Sequence, residues 1–387
     1  MWSCSLPRVR PLILALLMAV MGLMPVNANP LLLVDVDTLE VLHAEDAGQP
    51  WHPASLTKLM TAFVAFEAIG RGAASLDTPV TLSRNAVNQA PSKSGLPVGS
   101  TLTLKDALYV LIVKSANDVA MAIAETVGGS EAGFVALMND AAMRMGLTAT
   151  RFTNPHGLHD AAQVTTARDL AVLSLYLRQS FPQFMPMFGT QTVRLGSAEL
   201  ESQNELLTKF AGTTGMKTGY VCASGLNLVA TVTRNGRNLL AVVLGGSSAR
   251  DRNERAAELL LQGFAGSARG TGQSVLSLAN DVGAAPVDMR PQICGADARG
   301  YVAAQEAAFP MGLEGQPSYL TDELPGTSYM AVDLGRIAVG VSLPRPRPQH
   351  LPRFAAPATE TAQEATGSSG APSNAETIPF PRPRPNL

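Results

Sequence analysis

Two β-rich runs, "GLNLVATVTR" and "RNLLAVVLGGSS", sit on either side of Asn235-Gly236, a dipeptide that readily takes the positive backbone dihedrals of a tight hairpin turn. "KTGYV" just before them reads as a further strand, and near the start "LLLVDVDTLEVLHAED" reads as a strand pair. A helical block lies between. "PASLTKLMTAFVAFEAIG" carries Leu59, Met60, Phe63, Val64 and Phe66 at helical spacing, and "TLTLKDALYVLIVKSANDVAMAIAETVGG" follows with a capping-box signal at Thr103 and Asp106. A second such signal, Thr166 to Asp169, opens "ARDLAVLSLYLRQ", and "ERAAELLLQGF" closes the region as a helix. Strands at both ends with helices between them predict an α/β chain of the α+β kind: one antiparallel sheet whose first and last strands meet, flanked by helices.

At 387 residues, 46% hydrophobic and 16% charged, the chain can build one large domain or two with ample core. A net charge of -2 offers no basic footprint for nucleic acid. Residues 1–28 read as a secretory signal: Arg8 and Arg10 precede the apolar "LILALLMAVMGLM", and "VNA" ends at Ala28 with small residues suited to cleavage. Removal of that segment takes Cys4 with it and leaves Cys222 and Cys294 as an even pair in an exported chain. The pair is open to a disulfide or to two separate buried thiols.

Residues 29–267 form the expected main domain. Residues 268–343 contain short strand-like runs such as "YMAVDLGRIAVGVSL", which predict a small β-rich appendage of uncertain fold. From Pro344 to Leu387 the chain is rich in Pro, Ala, Ser and Thr, with "PRPRP" at 344–348 and 381–385, a composition that predicts a disordered tail. That tail reads either as a solvated extension or as an extended basic ligand for an envelope polymer or protein. No amphipathic helix closes the sequence, so no C-terminal membrane anchor is expected.

Ser55 and Lys58 open an apolar helix, and they are the only SxxK among the chain's six lysines. Taken alone, the serine could cap the helix and the lysine could snorkel to water. Two further motifs change that reading: "KSAND" supplies Ser115 and Asn117, and "GMKTGY" supplies Lys217, Thr218 and Gly219. SxxK, a serine-and-asparagine turn and KTG occur together in acyl-transferring serine enzymes. A serine hydroxyl needs a base at neutral pH, and Lys58 is one helical turn away on the same face. Burial and a second ammonium at Lys217 would both favour the neutral amine such a base requires. Backbone N–H groups of Ser55 and Tyr220 are placed to meet an oxyanion, with Gly219 allowing close approach. Lys217, Thr218 and a nearby arginine would hold a substrate carboxylate, Ser115 would relay a proton to the leaving amine, and Asn117 would orient the substrate amide.

The chain resembles the D-alanyl-D-alanine carboxypeptidases, the low-molecular-mass penicillin-binding proteins, from about Leu31 to Phe264. Beyond the three motifs, "HGLHDAAQVTTARDLAVLS" and "GMKTGYVCASGLNLVATVTRNGRNLLAVVLGGSSARDRNE" are similar to the family's corresponding regions. The resemblance implies a serine β-lactamase/transpeptidase-like fold and removal of the terminal D-alanine from peptidoglycan stem peptides ending in D-Ala-D-Ala. It also implies β-lactam inhibition at Ser55, a periplasmic location, no cofactor and no metal. Arg252, flanked by Arg250 and Arg255, is the implied carboxylate-binding arginine. Many relatives carry an arginine near "SQNELL", where Ser202-Gln203-Asn204 stands here.

Two other function classes compete. A serine β-lactamase would need a deacylating base; the one Glu-x-x-Asn of this kind, Glu201 to Asn204, lies 16 residues before Lys217, close to the KTG motif. A non-catalytic peptidoglycan-binding relative would have no use for Lys58 beside Ser55. A metallopeptidase is disfavoured because His156 and His159 stand without an HExxH; "NPHGLHD" reads as a turn, with His156 either structural or bordering the site.

Overall fold

The computed structural model describes residues 29–268 and 270–335. The expected signal segment and Pro-rich tail lie outside the described residues. β1 (Leu31–Asp35) and β2 (Val41–Glu45) pair at one side of a five-stranded sheet. β7 (Thr213–Val221), β8 (Gly225–Arg234) and β9 (Arg237–Gly246) complete it in the order β2-β1-β9-β8-β7. Asn235 and Gly236 take φ of 51° and 76° at the β8–β9 turn, as a tight hairpin requires. β1 pairs antiparallel with β9, Leu32 opposite Val242, so the first and last strands of the domain meet.

These strands are apolar on both faces because both are covered. Leu32, Val34, Leu240, Val242 and Leu244 belong to the core shared with the helical block. The alternate residues Leu33, Leu239, Ala241 and Val243 pack with Ala256, Leu259 and Leu260 on the opposite face. The helical block contains α1 (Thr57–Gly70), α2 (Leu104–Val113), α3 (Asn117–Gly128), α4 (Glu131–Arg144) and α5 (Ala167–Ser180). α6 (Ala249–Ala265) covers the other face. α4 escaped the sequence reading: only Phe134, Met138, Ala141 and Ala142 are buried along it, too narrow a stripe to stand out. The predicted caps form, with Thr103 Oγ1 accepting from Asp106 N at 3.1 Å and Thr166 Oγ1 from Asp169 N at 3.0 Å.

α1 is buried nearly all round, Lys58 included, so it runs through the middle of the helical block. β3 (Pro79–Thr81) and β4 (Thr101–Thr103) form a short ribbon beside α2 and α3, and β5 (Thr192–Leu195) and β6 (Ala198–Glu201) form a small outer hairpin.

The described part of the chain after residue 267 is not the β-rich appendage expected there, and residues 336–343 of that region lie outside the described residues. The described part holds one strand, β10 (Ser328–Ala331), a 3-10 turn at Val275–Ser277, a short helical turn at Arg290–Ile293 and α7 (Ala298–Ala308). β10 pairs in parallel with β5 of the main domain. Too few apolar residues are available for a separate core, and Val275, Met289 and Ala331 are instead buried against the preceding domain. Polar ties follow the same path: Asn280 Nδ2 donates to Asp169 Oδ1 at 2.8 Å, and Arg250 Nη1 donates to Phe309 O at 2.8 Å.

Cys222, in the β7–β8 turn, is bonded to Cys294. The bond closes a loop of 72 residues and ties the Arg290–Ile293 turn to the sheet. Cys294→Ser is expected to lower stability by about 2–4 kcal/mol, read by denaturant unfolding, and to open cleavage near residue 290 in limited proteolysis. Unchanged stability and cleavage would show that the surrounding contacts hold the turn without the bond.

Candidate active site

Ser55 lies in a single 3-10 turn, Ala54–Leu56, that leads into α1. Its side chain caps no backbone N–H. Instead Lys58 Nζ lies 2.9 Å from Ser55 Oγ, 2.8 Å from Asn117 Oδ1 and 2.5 Å from His156 O. Three oxygens from three separate chain segments therefore converge on one amine that is 1% exposed. Burial drives the Lys58 pKa well below that of an ordinary lysine; Lys217 adds to the shift and Asp118 opposes it.

Each segment is pinned from behind. Asn227 Nδ2 donates to His52 O at 3.0 Å, and Asn227 Oδ1 accepts from Gly245 N at 3.0 Å, fastening the chain before Ser55 to β8 and β9. Asn154 Oδ1 accepts from Gly157 N at 2.7 Å, and Gln163 Oε1 accepts from Asn154 N at 3.0 Å, shaping the loop that presents His156 O. Asp118 accepts from Ser94 N at 3.0 Å and Ser94 Oγ at 2.7 Å, next to Asn117 at the start of α3. The sequence reading assigned no role to Asn227, Asn154 or Asp118. Asn227 had a visible signal, a lone amide inside an apolar strand; the others carried none that distinguishes them from turn residues.

Ala54 has a φ of 49° and is 2% exposed, a left-handed backbone at a buried alanine immediately before Ser55. Ser115 also has positive φ, 61°, at the α2–α3 turn, and its Oγ is buried with no hydrogen-bond partner among the described residues. A buried hydroxyl left open in this way is available to a ligand.

β7 is an edge of the large sheet and brings the third motif to Ser55. A Cβ added at Gly219 would lie 3.0 Å from both Pro53 O and Ser55 N, so glycine is what lets the strand lie this close. Lys217 is 3% exposed and its Nζ donates to Thr218 O at 2.9 Å. Burial, with Arg252 adding to it, pulls the Lys217 pKa down to about 7. Arg252 is buried on α6, donates through Nε to Asn253 Oδ1 at 2.9 Å, and is lowered to about 10 by burial. Its Nη2 also donates to Gln203 O at 3.3 Å, which sets the "SQN" stretch beside it. Tyr220 is 49% exposed, and its hydroxyl lies 3.3 Å from Cys294 Sγ. His156 is buried with a pKa lowered to about 3 by burial and by Lys58; its neutral ring accepts from Leu158 N at 3.2 Å through Nδ1. Glu201 is exposed at the end of β6 and makes no hydrogen bond to Ser55 or Lys58 among the described residues.

Residues 19–248, more than half of the chain, match the family model described as D-alanyl-D-alanine carboxypeptidase. The chain belongs to that family. Among curated members of the carboxypeptidase family, DacD of Salmonella typhimurium is 36% identical over 245 residues, and DacC of Escherichia coli is 33% identical over 246. Those alignments cover 62% of this chain and 63% and 62% of the two relatives, so the chain spans less than two thirds of the length of each of these two. Penicillin binding protein 6B from Escherichia coli superposes with a TM-score of 0.58 at 34% identity, over 63% of this chain and 79% of that one. Penicillin-Binding Protein D2 from Listeria monocytogenes, solved in its cefotaxime-bound form, gives 0.54 at 29% identity, over 63% and 99%. The architecture of this carboxypeptidase-family chain is thus the penicillin-binding-protein α+β fold.

Lowered lysines also leave a mark on stability. The unfolded chain holds the Lys217 proton up to the usual 10.5, whereas the folded chain releases it near 7. Between those values the unfolded state binds more protons, so stability rises with pH across the window and the cost is constant below it. The thermal unfolding temperature is expected to climb from about pH 7 towards pH 10 more steeply in the parent than in Lys217→Met, measured by differential scanning fluorimetry; parallel profiles would contradict the lowered value.

Proposed function

We propose that the chain is a serine-type D-alanyl-D-alanine carboxypeptidase acting in the periplasm on peptidoglycan stem peptides, through an acyl-serine at Ser55. The observation that carries this reading is the 2.9 Å contact between Ser55 Oγ and a fully buried Lys58. In its neutral form Lys58 takes the hydroxyl proton as Ser55 Oγ adds to the carbonyl of the penultimate D-alanine. The N–H groups of Ser55 and Tyr220 receive the oxyanion. Collapse breaks the C–N bond; the proton passes through Lys58 and Ser115 to the leaving amine, and D-alanine departs. Water then adds to the ester as Lys58 takes its proton, and collapse breaks the acyl–Oγ bond while Lys58 returns the proton to Ser55 Oγ, releasing the shortened peptide.

Lys217, Thr218 and Arg252 hold the terminal carboxylate, and the lowered pKa of Lys217 rises as that carboxylate arrives. Asn117 holds Lys58 on one side and orients the substrate amide on the other. A β-lactam carries a carboxylate beside a reactive amide, so it follows the same first step and stops at the acyl-enzyme.

The test is D-alanine release from an acyl-D-Ala-D-Ala tripeptide by the parent and by Ser55→Ala. Release by the parent, reduced to background in the variant, is expected; release that survives in Ser55→Ala, or none from a folded parent, would refute the assignment. Labelled penicillin on the same two proteins reports acylation apart from turnover: label on the parent that is absent from Ser55→Ala places the acyl group on Ser55.

A further inference from the structure

Thr213 and Thr214 start β7, six and five residues before Gly219, which puts them roughly 17–20 Å along the strand from the point where it meets Ser55. Beside them lies a separate cavity of about 1050 Å³, bounded by the end of β1, the end of α5 and the 3-10 segment Pro182–Gly189. That is ample room for a small organic ligand, whose sites usually occupy about 300–1,000 Å³. Its walls are largely apolar, with Leu39, Tyr109, Leu175, Pro182, Met185 and Pro186 contributing.

The threonine hydroxyls and the Asp37 carboxylate on the wall are satisfied within the fold, whereas the charged Arg178 is not. Thr213 Oγ1 donates to Phe210 O at 2.7 Å, Thr190 Oγ1 donates to Pro186 O at 3.1 Å, and Thr214 Oγ1 lies 2.9 Å from Thr231 Oγ1. The Asp37 carboxylate accepts from Asn238 Nδ2 at 3.1 Å. Arg178, half-buried on α5, makes no hydrogen bond and no ion pair among the described residues. Burial lowers its pKa and Asp37 offsets part of that; a guanidinium is basic enough to stay charged, and it feels a carboxylate that does not reach it.

A half-buried guanidinium with open donors above an apolar wall matches an anion attached to an aliphatic body. Asp37 nearby disfavours a second negative charge on that anion. We propose that this cavity is a binding site for a single-chain amphipathic carboxylate of the fatty-acid type, with its headgroup on Arg178 and its chain along Met185, Pro182 and Leu175. The site is distinct from the Ser55 centre and does not depend on the acyl-transfer reading.

The probe is 11-(dansylamino)undecanoic acid, titrated against the full chain and displaced by laurate. Saturable binding is expected, displaced by laurate and not by equimolar dodecanol, and weakened about tenfold or more in Arg178→Gln with an unchanged unfolding temperature. Met185→Glu, which puts a like charge on the apolar wall, is expected to abolish binding and stands in if Arg178→Gln does not fold. Absence of saturable binding, equal displacement by dodecanol, parent-like affinity in both folded variants, or preference for dodecyl phosphate over laurate would each overturn the proposal.

Discussion

Lys58→Met is expected to acylate with labelled penicillin roughly a hundred- to ten-thousandfold more slowly than the parent, the range that a positioned general base contributes. The same protein should unfold at an equal or higher temperature. Methionine is similar in length and carries no ammonium to desolvate, and α1 is buried on nearly all sides. His156 O and Asn117 Oδ1 would each lose one hydrogen bond, which sets the stabilising term against a modest cost. A slow but stable variant separates chemistry from folding. Near-parental acylation by Lys58→Met would mean that some other group takes the Ser55 proton. A large drop in unfolding temperature would mean that Lys58 is held there chiefly as a hydrogen-bonding hub.

The second large effect is structural and lies outside the three motifs. Gly157 has a φ of 88°, and an added Cβ would fall 2.4 Å from Ala54 C and closer still to Ala54 O. Gly157→Ala therefore combines the cost of a left-handed backbone, roughly 1–2 kcal/mol, with a backbone clash that only movement can relieve. The clash is against the residue that precedes Ser55, and the loop that must move also carries His156 O, a partner of Lys58 Nζ. We expect about 3 kcal/mol or more of destabilisation by urea unfolding and at least about a tenfold loss in penicillin acylation in the folded fraction. Parent-like acylation together with parent-like stability would show that the 154–158 loop does not set the position of Ser55. Loss of stability with full acylation of the folded fraction would confine its role to packing.

The main sheet was legible because its signals are local. Asn235-Gly236 specifies a hairpin from two residues, and the unbroken apolar runs in "LLLVD" and "RNLLAVVLGG" mark strands covered on both faces. Thr103 and Thr166 mark helix starts through a hydrogen bond that spans three residues. The region after residue 267 was read less well for the opposite reason. β10 exists by pairing with β5, more than a hundred residues earlier, and no property of "SYMA" alone specifies that partner.

The candidate site divides in the same way. By itself the sequence determined which reactive groups are present, in what order, and that Ser55 and Lys58 share a helical face, because those facts are covalent or lie within one turn. Only the tertiary structure decided that Asn117 and His156 O, 59 and 98 residues away, close around the same amine, and that Gly219 slides against Ser55 N. It alone also decided that Lys58 and Lys217 are stripped of water, since burial belongs to no residue singly and arises when α1, α3, β7 and the 154–158 loop pack together.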